Sequence, residues 1–255
     1  MKITLLGTGT SQGVPVIGCQ CAVCQSANPK DKRLRTSAMI EWKNSRIVID
    51  CGPDFRTQML REKVAEIDAI LFTHEHADHT AGLDDIRPIY FRKGAPLPIY
   101  ALKRVMDNLE KRFDYIFTRK NRYPGAPEVE KNILKAFENF HINGKEIIPL
   151  EVMHGNLPIL GYKINNFAYL TDAKTLPEKT TEELQNLDLL IVNALHHKPH
   201  KMHMNLKESL ALIAKIQPRK AVLIHISHYM GLYEEVAPQL PDNVILGYDG
   251  MQLEI

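Results

Sequence analysis

The sequence lacks both a long apolar run and an excess of charge of one sign. Its N-terminal apolar run, residues 3–6, is far shorter than the ~20 residues of a membrane span and too short for a signal-peptide core. Lys and Arg outnumber Asp and Glu by only 32 to 30. We therefore expect a cytoplasmic protein with no membrane partner. A long nucleic acid, which usually binds to a strongly basic surface, is not the favoured partner.

Cysteine is scarce, with 4 residues, and no repeat, low-complexity tract or linker divides the 255 positions. Three of the cysteines, Cys19, Cys21 and Cys24, lie within six positions of one another. In a reducing compartment such a cluster binds a metal more often than it forms a disulfide. Because 44% of the residues are hydrophobic, the chain can build a substantial core. We predict a single domain over residues 1–255.

Short apolar runs bounded by turn residues predict strands, and periodic apolar positions predict helices. The predicted strands are 2–6, 38–42, 46–50, 69–72, 97–101, 147–153, 160–164, 168–170, 189–192, 221–226 and 244–246. The predicted helices are 54–63, 103–112, 177–186 and 206–216, the last with Asn205 as its N-cap. More than ten strands in this mixture indicate an α/β protein with two sheets rather than one.

The most informative motif is a hexapeptide that directly follows the predicted strand 69–72. It holds three imidazoles and a carboxylate: His74, His76, Asp78 and His79. Imidazole nitrogen and carboxylate oxygen both suit divalent metals, and a single ion could not use all four side chains without strain. The spacing therefore favours two adjacent metals. Glu75 does not fit a helical HExxH motif, so we expect it beside the ligands or exposed.

This HxHxDH motif after a strand resembles the metallo-β-lactamase superfamily. The resemblance implies an αββα four-layer sandwich with two metals at one edge of the packed sheets. It also implies three further ligands at strand ends, namely His154, Asp172 and His225. One metal would bind His74, His76 and His154, the other would bind Asp78, His79 and His225, and Asp172 would bridge them. Two divalent ions, Mn or Zn, could then hold the hydroxide that attacks the substrate, which gives Asp78 a catalytic role.

The cysteine cluster forms a CxCxxC loop at about residues 18–25, which is one ligand short of a tetrahedral zinc site. His228, three residues beyond His225, is the expected fourth ligand of this structural zinc. Free cysteines or a transient disulfide are the alternatives. The loop together with the late histidine resembles the cyclic phosphodiesterases that accompany the carbon–phosphorus lyase pathway of phosphonate breakdown. This resemblance implies a small phosphodiester substrate, with cyclic phosphates of ribose as the leading candidates.

A histidine-rich segment precedes the predicted helix 206–216. The resemblance assigns His203 to the scissile phosphate, as a general acid or as a ligand of a nonbridging oxygen, and a pKa near neutrality suits either role. For the other histidines of the segment we prefer a solvated loop: His196, His197 and His200. Arg33 and Arg35 are candidate phosphate clamps because guanidinium binds phosphate bidentately, with Arg35 preferred, although a basic surface run is equally favoured.

The favoured function is that of a metal-dependent phosphodiesterase, and the alternative is the transfer-RNA 3′-end endonuclease of the same superfamily. The endonuclease would be expected to carry a long basic arm, and residues 141–172 contain no such insertion. The low net charge points the same way. A glyoxalase-type thioester hydrolase has no use for the CxCxxC loop, and a non-catalytic relative would be expected to have lost ligands. The physiological diester, the native metal and a homodimeric state stay open.

Overall fold

Two seven-stranded sheets form the centre of the structure, a computed structural model that describes residues 1–118 and 121–255. The first sheet comprises β1 (Lys2–Gly7), β2 (Ser37–Trp42), β3 (Ser45–Ile49), β4 (Ala69–Leu71), β5 (Leu97–Leu102), β6 (Val129–Leu134) and β14 (Gln252–Glu254). The second comprises β7 (Phe140–Ile142), β8 (Lys145–His154), β9 (Leu157–Ile164), β10 (Phe167–Leu170), β11 (Leu189–Asn193), β12 (Lys220–Ile224) and β13 (Val244–Leu246).

The two sheets share one pairing pattern. In the first, of order β14-β1-β2-β3-β4-β5-β6, the pairs from β14 to β3 are antiparallel and those from β3 to β6 are parallel. In the second, of order β7-β8-β9-β10-β11-β12-β13, the pairs from β7 to β10 are antiparallel and those from β10 to β13 are parallel. Parallel neighbours end at the same edge of a sheet, so each sheet offers a row of loops there, where α/β proteins commonly bind ligands.

The described ranges contain nine α-helices, most of which pack on the outer faces of the two sheets. They are α1 (Ala22–Gln25), α2 (Phe55–Arg61), α3 (Ala77–Thr80), α4 (Arg87–Lys93), α5 (Lys103–Arg112), α6 (Asp114–Phe117), α7 (Glu178–Glu183), α8 (Leu206–Ile216) and α9 (Tyr233–Val236). The two longest, α5 and α8, begin and end at the predicted residues. Helix α8 begins with a capping box, in which the Asn205 side chain accepts from the Glu208 backbone at 2.9 Å and the Glu208 carboxylate accepts from the Asn205 backbone at 2.8 Å.

Three buried clusters define the layers. One lies between the sheets and includes Ile40 and Tyr162. A second packs the second sheet against α8 through Ile213, and a third packs the first sheet against α2 and α5 through Phe55 and Leu109. The four layers are therefore helix, sheet, sheet and helix, as the αββα prediction requires. Within the described ranges, no helix has the length and apolar character needed to span a membrane.

Candidate metal centre

Three acidic or imidazole side chains leave their strands through a left-handed backbone. Asp50 follows β3 with φ 63°, Asp172 lies two residues beyond β10 with φ 56°, and His225 follows β12 with φ 54°. L-residues rarely adopt this region, because Cβ crowds the carbonyl oxygen there. All three residues are at most 2% exposed. Their side chains meet at the edge where the parallel strands end.

The first group of ligand candidates consists of His74, His76 and His154, whose donor atoms lie within 4.8 Å of one another. His74 Nε2 lies 3.0 Å from His76 Nδ1, and the ring centres of His76 and His154 are 5.2 Å apart. Burial, reinforced by the neighbouring imidazoles, lowers the pKa of His74 well below its usual range and also lowers that of His76. The neutral imidazole, which is the form that binds metals, is therefore favoured at both positions.

The second group consists of Asp78, His79 and His225, again with donor atoms within 4.8 Å. Asp172 lies between the groups: its carboxylate oxygens are 3.3 Å from His79 Nε2 and 3.1 Å from His225 Nε2. Although burial opposes ionisation of Asp172, the charges of His225 and His79 hold its pKa well below the usual range. Asp172 also falls within 4.8 Å of a donor atom of His74, so it reaches the first group as well.

The donors of both groups fit divalent ions. In the described part of the chain, His79 Nε2 and both ring nitrogens of His225 are buried without a hydrogen-bond partner. Such an atom costs about 1–3 kcal/mol if nothing satisfies it. Imidazole nitrogens and carboxylate oxygens at this spacing are suitable ligands for two adjacent ions. The seven predicted ligands thus come together in the predicted two sets, joined by Asp172.

Asp50 supports this centre, although the sequence analysis gave it no role. Its carboxylate accepts from His79 Nδ1 at 2.7 Å, and from the backbone N–H and Oγ1 of Thr73 at 2.8 Å each. The bond to Nδ1 fixes the ring of His79, so that Nε2 faces Asp172. The only sequence signal for this role of Asp50 is an acidic residue at the end of a predicted apolar strand. Similarly, the Met202 carbonyl oxygen lies 3.0 Å from Nδ1 of His154 and orients it.

Glu75 stands outside both ligand groups. Arg104 of α5 donates from Nε and Nη2 to its two carboxylate oxygens, at 2.8 and 3.0 Å. Arg112 of the same helix donates to the Glu75 carbonyl oxygen at 3.2 Å and to Thr80 Oγ1 at 2.7 Å. These bonds anchor the hexapeptide to α5, so Glu75 positions the loop rather than taking part in the ligand set.

The cysteine loop and His228 form a second cluster. Nδ1 of His228 lies 3.3, 3.4 and 3.6 Å from Sγ of Cys19, Cys21 and Cys24. The nitrogen–sulfur edges of a zinc tetrahedron measure about 3.5 Å, so the three nitrogen–sulfur distances are those that such a site requires. The backbone N–H of Cys24 lowers the pKa of Cys21 to about 6, whereas burial raises that of Cys24 to about 11.

His203 lies at the metal centre beside Asp172 and His154. Its Nδ1 is 3.6 Å from a carboxylate oxygen of Asp172, and its ring centre is 4.6 Å from that of His154 and 4.8 Å from that of His225. Burial, together with the charge of His225, lowers the pKa of His203 to about 3. This differs from the near-neutral value expected from the sequence, which did not reveal how closely the imidazoles crowd one another.

The two arginine candidates differ in availability. Arg33 is only 4% exposed and donates to Thr8 Oγ1 at 2.8 Å and to the Gly247 carbonyl oxygen, which removes it from the candidate phosphate clamps. Arg35 has a side chain 31% exposed. It donates to both carboxylate oxygens of Asp54, at 3.0 and 3.2 Å. Only the exposed part of Arg35 is free to meet a phosphate.

Comparison with known proteins places this architecture in a family. The sequence profile of the Beta-lactamase superfamily domain matches residues 45–226. A solved structure described as a new diphosphatase from the PhnP family is 42% identical, covers 99% of this chain and 96% of its own, and has a TM-score of 0.92. The chain belongs to the PhnP family of the β-lactamase superfamily. The predicted fold and the predicted class, a metal-dependent hydrolase, are thereby confirmed.

Two other relatives extend the comparison of this PhnP-family chain. It is 43% identical over 254 residues to an octanoyltransferase of Porphyromonas gingivalis, covering 99% of this chain and 51% of that protein. The chain thus spans about half the length of that relative. It is 26% identical over 330 residues to ribonuclease Z of Borrelia duttonii, covering 99% of this chain and 96% of that protein. The alignment is longer than the 255 residues of this chain, so that ribonuclease has segments without a counterpart here.

Proposed function

We propose that this chain hydrolyses a small phosphodiester with two divalent ions, Mn or Zn, at the centre described above. The observation that carries the proposal is the meeting of two ligand groups around Asp172, with His203 3.6 Å from the same carboxylate. The proposed ligands are His74, His76, Asp78, His79, His154, Asp172 and His225. The name diphosphatase, given to a family member 42% identical, supports chemistry at phosphorus.

The residues of the centre would have different roles in the hydrolysis. When bound, two divalent ions would supply an activated water and stabilise charge on the phosphate oxygens. Asp78 and Asp172 balance the charge of the ions, and Asp50 keeps the proton of His79 on Nδ1. With its lowered pKa His203 is neutral, so its N–H would donate a hydrogen bond to a nonbridging oxygen; to protonate the departing oxygen it would first have to take up a proton next to the bound phosphate. The exposed part of the Arg35 side chain would contact the phosphate.

A third ion completes the proposal. Cys19, Cys21, Cys24 and His228 would hold a structural zinc, supported by donor spacings of 3.3 to 3.6 Å. Because His228 and His225 lie on one turn, this zinc would fix the segment that carries an active-site ligand. The proposed compartment is the reducing cytoplasm, where a cysteine cluster of this kind binds a metal more often than it forms a disulfide.

The substrate is proposed to be compact rather than a long RNA. The described strands β7 to β10 are joined by two-residue turns at 143–144, 155–156 and 165–166, which leave no room for a clamping arm in that part of the chain. Cyclic phosphates of ribose are one candidate. The P–O–P linkage of a diphosphate is a second, favoured by the name of the family member in the structural comparison.

The test is a comparison of kcat/KM for ribose cyclic phosphates, 2′,3′-cyclic nucleotides, a dinucleoside diphosphate and a precursor transfer RNA. Each substrate is assayed with manganese, zinc and nickel at two salt concentrations, with Asp172→Asn as the inactive control. We expect turnover of a small ester with little salt dependence, since one phosphate releases few counterions. Efficient cleavage restricted to the RNA and steeply salt-dependent would instead establish the endonuclease function. Absence of turnover of every substrate by the metal-loaded chain would refute the proposal.

A further inference from the structure

A cavity of about 430 Å³ lies beside the metal centre, between the loop that follows β11 and the turn that follows β12. Its walls are His196, His197, Lys198, Pro199 and Tyr229. This volume is within the range of small-molecule binding sites. Two larger cavities, of about 620 and 590 Å³, lie elsewhere, because none of their lining residues belongs to the loop after β11 or to the turn after β12. The first of these includes Asp188, at the opposite end of β11 from the metal centre.

A row of imidazole rings connects the cavity with the metal centre. The ring centre of His200 is 6.0 Å from that of His196, in the cavity wall, and 5.1 Å from that of His203. The ring of His203 in turn stacks on that of His225 at 4.8 Å. The ring of His200 therefore lies between the cavity wall and His203, and neither of these two rings lines the cavity. A leaving group that extends from the metal centre past His203 and His200 would reach this space.

The cavity wall carries groups suited to a flat, charged ligand. Tyr229 is 71% exposed. The centre of its ring lies 6.3 Å from that of His196, and the two ring planes are almost perpendicular, at 77°. Nδ1 of His196 is buried and has no hydrogen-bond partner among the described residues. Lys198 is exposed, and no ion pair joins it to any residue of the described ranges. An aromatic face and a free cation thus lie together, whereas the buried Nδ1 of His196 is not open to a ligand.

We propose that this cavity binds the nucleobase of a nucleoside attached to the leaving-group side of the substrate. The base would stack on Tyr229 beside the ring of His196, and Lys198 would meet a charged group of the leaving nucleotide. Aromatic side chains are general stacking platforms for bases, because every base has a π face. The inference rests on the proposed hydrolysis of a small phosphodiester and narrows it to nucleotide-derived substrates.

Binding, rather than turnover, tests this subsite. The metal-loaded chain is titrated calorimetrically with adenosine 5′-monophosphate and with ribose 5-phosphate, which lacks the base. We expect the nucleotide to bind at least about fivefold more tightly. Tyr229→Ala should abolish this difference without weakening ribose 5-phosphate, whereas Tyr229→Trp should keep it. Tyr123→Ala, which removes a tyrosine 61% exposed and outside the cavity wall, is the matched control.

Because Tyr229 follows the proposed zinc ligand His228, zinc content is measured for each variant. His196→Ala provides an independent change elsewhere in the cavity wall. Equal affinity of the wild-type chain for both probes would overturn the subsite, even if small phosphodiesters are hydrolysed. A change of oligomeric state in Tyr229→Ala, with no change in nucleotide binding, would also overturn it and identify the cavity as an interface between copies. If the chain hydrolyses none of the substrates but still binds the nucleotide more tightly than ribose 5-phosphate, the subsite is supported and only the proposed function is refuted.

Discussion

Replacing Asp50 with Asn should weaken metal binding without disturbing the backbone. The residue has φ 63°, a conformation that Asn tolerates well, and its side chain is fully buried. The carboxylate accepts three bonds, from His79 Nδ1 and from the backbone and hydroxyl of Thr73. An amide offers only one oxygen, and its NH₂ group cannot accept, so at least one of these donors loses its partner. The cost should be about 1–3 kcal/mol of stability.

The larger effect of Asp50→Asn concerns the metal. Without the carboxylate, His79 loses the partner that holds the proton on Nδ1, so its Nε2 is no longer fixed as a ligand. Loss of such a supporting residue typically lowers metal affinity or activity by about 10–100-fold. The measurements are a competitive metal titration against a chelator and urea unfolding of the metal-free chain. Asp54→Asn, at a carboxylate that Arg35 contacts outside the metal groups, is the control. Unchanged metal affinity in Asp50→Asn would refute this reasoning.

Three further outcomes are expected. His203→Ala should keep its metal content but lose about 10²–10⁴-fold in kcat for esters with alkoxide leaving groups, and much less for a nitrophenyl ester. Equal losses for both esters would indicate that His203 binds the phosphate instead. Cys21→Ser should lose one tightly held zinc and melt at least about 5 °C lower by calorimetry, whereas Gln20→Ser in the same loop should do neither. Tyr162→Phe removes the 2.6 Å hydrogen bond from the buried hydroxyl to the Phe72 carbonyl oxygen and should lower the free energy of unfolding in urea by about 1–3 kcal/mol. A loss below about 0.5 kcal/mol, as for a surface substitution, would show that this hydrogen bond does not stabilise the fold.

Local signals explain which elements could be predicted. Helices α5 and α8 have amphipathic patterns, and α8 also has its cap, so both were predicted at their observed bounds. Strand β6 was missed because only its two end residues, Val129 and Leu134, are buried, and its interior reads as polar. Strand β14 was missed because it has only three residues at a sheet edge. Both owe their conformation to backbone pairing with a neighbouring strand, which no local pattern reveals.

In the candidate site, too, local sequence patterns could be predicted, whereas contacts between distant segments could not. The ligands of the hexapeptide could be predicted because imidazoles and a carboxylate crowd into six residues. The support from Asp50 could not, because it depends on the parallel pairing of β3 with β4, in which the Asp50 backbone N–H donates to the Leu71 carbonyl oxygen at 2.9 Å. That register brings Asp50 beside Thr73, 23 positions along the chain. The low pKa of His203 likewise follows from packing between distant segments.

The left-handed turns at Asp50, Asp172 and His225 limit how this centre could be moved to another protein. An engineer who copied only the ligand side chains onto relaxed strand ends would aim them elsewhere, since the backbone torsion sets their direction. Residues held in such regions cost of order 1–3 kcal/mol each when the residue type disfavours them. Of the three, His225 has the side chain least suited to this conformation, because Asp can bond locally to its own backbone. A transplanted centre would therefore need a host stable enough to hold that histidine in place before any metal is added.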